Sequence, residues 1–347
     1  MLSALDPTLR LNRLPLFPLV LACATLAPAP EAFPAEPPRG PSEIRDVQLF
    51  AQPRLTLPAV SPWTTPPGRW SVNVSGLRAN SFAWTQDVAG ETPEDRRFLI
   101  DGEAVVLDAT VRRGLGRNVD VGLRLPLQWR GGGALDGVID WWHRVLDVPD
   151  GDRGLFLTDA FRVQGKTREG GAFAWDDSQG VGLGDLEAEG RWRLAEAGRE
   201  GASVALVGRL SLPTGTGPFE GNGVGAGGQL VVGVPLGEDF DLYTGVGVTA
   251  QDGGPVRDVR YSPTRAHGFL ALEWRPGRRL SLVAETNAAS RLVENVDSYP
   301  GVHWIMNVTG RIDLGSRVRL DLGFTENLES QLTTTDFALY VGLGLRP

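Results

Sequence analysis

The chain is poor in the residue types that carry most enzyme chemistry, with one cysteine and three histidines in 347 residues. The cysteine, Cys23, lies in an apolar N-terminal stretch shaped like a secretory leader, so the processed chain has no disulfide and no thiolate. No run of about eighteen apolar residues occurs, which excludes a membrane-crossing helix. A basic excess is missing too. The 34 Lys and Arg against 42 Asp and Glu leave a formal net charge of -8, and such a chain has no sequence-wide means of neutralising phosphates. Nucleic acid is therefore not an expected partner, and no cofactor is expected.

The first residues read as a signal peptide, 1–24. Arg10 and Arg13 precede the apolar run Leu14 to Leu26, and Ala22-Cys23-Ala24 offers a small-residue cleavage site. Cleavage just before Cys23, with lipid attachment, is the alternative. Residues 25–68 are crowded with proline. Proline removes a backbone donor and fixes φ, so this part cannot supply interior strands. It reads as an extended periplasmic lead-in to a domain covering 69–347.

What that domain has is alternation. From Gly201 to Ala250, Val204, Leu206, Leu210 and Leu212 fall on one side of an extended segment, and Ser203, Ala205, Arg209 and Ser211 on the other. Side chains alternate across a strand with period two, so each segment has one apolar and one polar face. About twelve such segments follow one another from Arg69 to Leu345. Short connections (GLGR, AEAGRE, LGED, RPGR, LGS) alternate with long ones. Strands of about ten residues joined in this way are the signature of a transmembrane antiparallel β-barrel, all-β, with short turns facing the periplasm and long loops facing outside. The expected surroundings are the outer membrane of a Gram-negative bacterium and its lipid bilayer.

The same alternation directs Asp120, Arg124, Asp185, Glu187, Glu189, Arg191, Arg193, Arg209, Glu273, Glu285, His303, Asn307, Arg311, Arg319 and Asp321 inward. A charge facing lipid at mid-depth costs about 2–4 kcal/mol, so these side chains must face water or one another. Two arrangements satisfy that: a wet pore with a mixed-charge lining, or a closed lumen packed with salt bridges, since only barrels of about sixteen strands leave an obvious aqueous channel.

One connection, the extracellular loop 131–180, is exceptional. Its spacing predicts a helix from Ala134 to Val148. Asp136, Asp140, His143 and Asp147 recur at intervals of four, three and four on one face, and Leu135, Val138, Trp142, Val145 and Leu146 form the other. Asp136, Asp140 and His143 are a candidate site for a divalent cation. Alternatively the helix constricts the mouth, or lies on it with a solvated acidic face. Trp141-Trp142 suits a helix near the lipid interface.

In these residues the chain resembles a family of uncharacterised bacterial outer-membrane barrel proteins. The shared features are Asp101-Gly102-Glu103, Leu125-Pro126-Leu127, Gly132-Gly133, Leu135-Asp136, Ile139, His143, Pro149-Asp150-Gly151, Arg153 and Gly182-x-Gly184-Asp185. The resemblance implies a signal peptide and an outer-membrane barrel, with no assigned activity or catalytic residues. A looser likeness, through Leu212-Pro213-Thr214-Gly215, is to barrel proteins associated with uptake of aromatic compounds.

A pore or facilitator for small solutes is the first functional expectation. An outer-membrane lipid hydrolase is an alternative, but it needs a base within about 3 Å of a nucleophile. None of His143, His267 and His303 has a serine two positions on, and the last two point inward. A structural or surface-recognition barrel is the third.

Overall fold

The structure, a computed structural model, describes residues 40–85, 97–147, 153–196, 201–252, 254–328 and 334–345. The leader 1–24, residues 25–39 and Pro149-Asp150-Gly151 lie outside them.

Three long strands open the domain: β1 (Trp70–Thr85), β2 (Phe98–Gly116) and β3 (Val119–Gly131). The long loop then contributes a helix, α1 (Asp136–Leu146), and three short strands, β4 (Arg162–Lys166), β5 (Ala172–Ala174) and β6 (Gly180–Leu183). Nine further strands complete the wall: β7 (Leu186–Ala195), β8 (Ser203–Leu212), β9 (Gly225–Pro235), β10 (Phe240–Gln251), β11 (Thr264–Gly277), β12 (Leu280–Ser290), β13 (Val302–Asp313), β14 (Val318–Asn327) and β15 (Phe337–Leu345). Each pairs antiparallel with the next, β3 pairs with β7, and β1 pairs with both β2 and β15. The result is a closed transmembrane barrel of twelve long strands, with no sheet edge along the wall.

The two faces are inverted relative to a water-soluble protein. On β8, Ser203, Ala205, Arg209 and Ser211 are buried, whereas Leu206 and Leu210 are exposed. On β3, Asp120, Gln128 and Arg130 are buried, while Val119, Val121, Leu123, Leu125 and Leu127 are exposed. A continuous belt of exposed aliphatic side chains around a polar interior is stable only where the belt meets lipid. Connections sort by end as the alternation requires. The turns after β2, β7, β9, β11 and β13 gather at one end. The long connections after β1, β3, β8, β10, β12 and β14 gather at the other.

Two expectations need correction. The first concerns the proline-rich stretch 25–68. Its described part does not extend away from the barrel, because residues 40–65 are almost entirely buried inside it. Proline bars this segment from a sheet but leaves most of its N–H and C=O groups unpaired, and a polar lumen is where side chains can satisfy them.

The second concerns α1, which does not sit in the mouth with a solvated acidic face. Asp136, Ile139 and His143 are buried, Asp140 is half-buried, Asp147 is exposed, and Val138, Trp141 and Val145 face outward. The side chain of Trp142 lies outside the described residues. The helix packs against the outside of the wall. Leu135 and Ile139 contact Phe324 and Phe337. Phe324 and Phe337 belong to the same outward set as exposed Leu322 and Leu339. A helix constricting the mouth is therefore excluded. The reason is legible in the partners, because the wall beneath carries outward polar groups (Asn80 and Glu103) that need covering.

The lipid-facing assignment is testable by charge placement. Leu206→Arg and Leu230→Arg, mid-strand and outward, are expected to lower folding stability in bilayers by about 2–4 kcal/mol, against at most about 1 kcal/mol for Leu236→Arg in the turn beyond β9. Urea titration of gel-resolved folded and unfolded barrel measures the difference.

Candidate functional site in the lumen

Residues 40–67 form a finger that rises through the lumen and returns. Its first part is held low on the wall: the Gly40 amide donates to Glu273 at 3.0 Å, and Arg311 donates to the carbonyl of Gly40 at 2.7 Å. Higher up, the Ser42 amide donates to Glu285 at 3.3 Å. Asp46 lies beside His303 near the outer end of β13 and accepts from Thr335 at 2.9 Å. The chain turns at 49–54, where Arg54 donates to the carbonyls of Gln251, Asp252 and Ser262. It then descends. Leu55 donates to Gln251 at 2.8 Å, Trp63 accepts from Arg191 at 2.7 Å, and Thr65 donates to Asp120 at 2.6 Å. Pro67 bridges Gly114 at the base of β2 and leads into β1.

An ionic cluster grips the finger near its middle. Arg45 makes a fork–fork pair with Glu187, at 2.9 and 2.7 Å. Arg124 shares Glu187 at 2.7 Å and pairs with Asp108 at 2.7 Å. Next to them, Arg112 and Arg191 donate to Glu189 at 2.9 and 3.1 Å, Arg209 also pairs with Glu189, and Glu43 of the finger pairs with Arg112. Bidentate guanidinium–carboxylate pairing is both strong and directional, so it fixes where the finger sits. The remaining space in this cluster is a cavity of about 30 Å³.

The outer mouth is closed by apolar packing. Phe50, at the finger's tip, stacks edge-on against Phe173 and Trp175, at centroid distances of 5.8 and 4.9 Å, and lies 5.7 Å from Tyr299. Phe161, Val163, Val259, Tyr261, Leu292, Val293 and Val296 from three long loops join the cluster. The wet pore is therefore not what this structure holds. The lumen is filled by ion pairs and by apolar clusters, and part of the filling is a segment of the chain itself.

Most of the side chains directed inward by alternation lie within this arrangement. Arg124, Glu187, Glu189, Arg191 and Arg209 meet in the ionic cluster. Glu273, Glu285, Arg311 and Asp120 hold finger backbone. Asn307 donates to Glu285 at 2.7 Å, and Asp321 accepts from Arg311 and lies 3.2 Å from Arg319. Two stand apart. Arg193 donates to the turn at Arg117 and Asn118, and Asp185, at the outer rim between β6 and β7, accepts from Gly215 at 2.9 Å. Burial lifts the Asp185 carboxyl above its usual range despite its backbone donors. Sequence reasoning missed the finger residues Glu43, Arg45, Asp46 and Arg54, because no period marks an irregular segment. It also passed over Asp108 and Arg112, which share the parity of the inward face of β2 and were findable.

The loop residues form a second assembly, on the outer wall. Glu103 accepts the Ala134 amide at 2.6 Å and that of Leu135 at the start of α1, and pairs with Arg78 at 2.7 Å. A carboxylate at a helix N-terminus satisfies orphan amides and meets the positive end of the dipole. Asp136 is bound by Asn80 and Arg153, each at 3.1 Å, and Arg153 also pairs with Asp336 and lies over the Phe82 ring. Asp136 is thus already engaged by Asn80, Arg153 and the Asp159 amide. Among the described residues, no group of three or more His, Cys, Asp or Glu is placed to hold a metal ion, so the cation-site expectation is not met.

A family model described as "Protein of unknown function (DUF3187)" matches residues 18–346. No curated protein matches the chain by sequence. Among solved structures, the COG4313 outer membrane channel from Pseudomonas putida F1 is similar at 12% identity with a TM-score of 0.53, covering 81% of this chain and 96% of that one. The NanC porin follows at 8% and 0.46, covering 80% and 100%, and a mutant of the TodX monoaromatic hydrocarbon channel at 9% and 0.43, covering 81% and 91%. These are likenesses of fold.

Gly133 tests the outer-wall assembly. It has φ of 74°, and a Cβ there would stand 1.8 Å from the Glu103 carboxyl carbon. Gly133→Ala is expected to undock α1, at a backbone cost of about 1–3 kcal/mol before the clash is counted. The readout is faster proteolysis within 134–160 of the folded barrel while the twelve strands stay protected.

Proposed function

We propose a function for this chain, which belongs to the DUF3187 family of proteins of unknown function: it is an outer-membrane channel for small solutes whose conduit is filled at rest by its own residues 40–67. The observation that carries this reading is the nature of the finger's attachment. It is held by hydrogen bonds and ion pairs to the wall and by apolar packing, with no strand ladder to the barrel among the described residues. Ile44 and Val47 lie in one cluster with Leu77 and Val106, and Ala59 and Val60 in another with Val207 and Val231. The charged wall groups are ones a water-filled conduit would present. With the finger displaced, Glu187, Glu189, Arg191, Arg209, Glu273, Glu285, Arg311 and Asp321, together with apolar Val207, Val231 and Phe269, would line a passage for small solutes. The similar Pseudomonas putida protein is itself named an outer membrane channel, which supports the same reading.

A hydrolase finds less support. His267 bonds Thr249 at 3.0 Å and His303 lies 3.8 Å from Asp46, both inside the barrel, whereas a nucleophile acting on bilayer lipid belongs on the outer wall. The reading assigns no chemical step to the protein.

Bilayer recordings test it. The native chain is expected to be mostly closed, with rare openings. Arg45→Ala combined with Arg54→Ala removes two anchors of the finger, and each charged hydrogen bond is worth about 1.5–3 kcal/mol, enough to raise open probability roughly tenfold or more. Liposomes carrying the variant should leak small sugars and amino acids faster than those carrying the native chain. A variant that folds but neither conducts nor leaks would overturn the proposal.

A further inference from the structure

Residues 132–147 and 153–157 form a covering segment over the place where the barrel closes, against β1, β2, β14 and β15 from outside. Its underside is fixed by Glu103 at the start of α1 and by Asp136 and Arg153 on Asn80 and Asp336. Its outer side is apolar. Val138, Trp141 and Val145, at intervals of three and four, form one stripe on α1, exposed by 42%, 55% and 59%. Leu155 and Leu157, further along the segment, are also exposed. We propose that this outer face is a lipid-contact surface, seated in the outer leaflet at the boundary between acyl chains and head groups.

Strand register places it at that height. Asn80 pairs with Glu103 on β2 and with Phe337 on β15, and all three outward side chains are buried beneath the segment. The next outward residue of β15, Leu339, is 44% exposed and belongs to the lipid belt. Leu339 pairs with Arg78, Arg78 with Val105, and Val105 with Trp129. The rung at which the cover ends thus carries a tryptophan and an arginine on the lipid side, residue types that mark the head-group level. The apolar stripe is therefore continuous with the belt beneath it. Arg144, exposed beside the stripe on α1, is placed for lipid phosphate, the arrangement of a helix lying in an interface. A separate protein partner would need an apolar patch at the same rung, and it would compete there with lipid already in contact with Leu339.

The test uses the full chain with Cys23→Ser and single labelled cysteines. Val145→Cys and Leu157→Cys carry a bimane label, with Leu339→Cys as the belt reference and Asp147→Cys as the aqueous reference. The vesicles are phosphatidylcholine and phosphatidylglycerol, brominated near the head-group end of the acyl chains. The labels at 145 and 157 are expected to be quenched at least about half as strongly as the label at 339, and the label at 147 to respond to aqueous iodide instead. Iodide quenching at 145 and 157 without bromolipid quenching would overturn the assignment. So would shielding of both labels from both quenchers, which would mean that protein covers the face. Neither result depends on whether the lumen conducts, so this inference can fail while the channel reading stands.

Discussion

A charge removed from water must find a counter-charge or hydrogen-bond partners within a few ångströms, and the interior of this barrel is built around that requirement. The wall alone does not meet it. Glu187 faces Arg124 and Arg209 across the strands, but it receives its two-pronged partner, Arg45, only from the finger. The finger needs the wall equally. Its prolines leave backbone amides and carbonyls that no ladder can use, and Asp120, Glu273, Glu285, Arg191 and Arg311 take them up. Each component is unsatisfied without the other, so a lumen of twelve strands is packed with polar groups rather than with water.

Such packing specifies position more than it adds stability. Desolvating two charges offsets much of what their attraction returns, so buried ion pairs contribute little net stability, although removing one partner is costly. That balance suits a segment that has to be in one place and yet be able to leave. Under the proposed function, the apolar residues clustered with Ile44, Val47, Ala59 and Val60 would oppose its departure, while the charged groups it exposes would be hydrated. A finger joined to the wall by a β-ladder would lack this property, because its bonds would be cooperative along the strand.

Much of this was legible before the structure. Alternation of Leu206 and Leu210 against Arg209 and Ser211 placed the faces, and the sorting of connections placed the ends, because both follow from local geometry that a strand imposes on its own sequence. The contents of the lumen were not legible. Arg45 pairs with a residue 142 positions away, and nothing in a proline-rich segment signals a partner at that separation. Proline content was read correctly as incompatible with a strand, but incompatibility with a strand does not decide between outside and inside. The helix failed for a related reason. Periodicity showed two faces on α1 and Trp141-Trp142 pointed to the lipid interface, but nothing local showed that Asp136 would meet Asn80 on the outer wall rather than water at the mouth.

The finger also links the two closures of the barrel. Arg45 lies in the ionic cluster and Phe50, five residues on, lies in the apolar cluster formed by the outer loops. Five residues of chain span at most about 18 Å, and local hydrogen bonds between 46 and 52 fold this stretch into turns, so the two anchors are close along the chain. A displacement of the backbone at Arg45 therefore bears on Phe50 among Phe173, Trp175 and Tyr299, and losing Phe50 removes the centre of the packing that holds the loops together. The ionic grip, buried and so only weakly screened by salt, responds to loss of a charged partner, and the apolar lid to temperature and apolar solutes. Because one segment carries both, displacing the finger in the proposed opening has to release both.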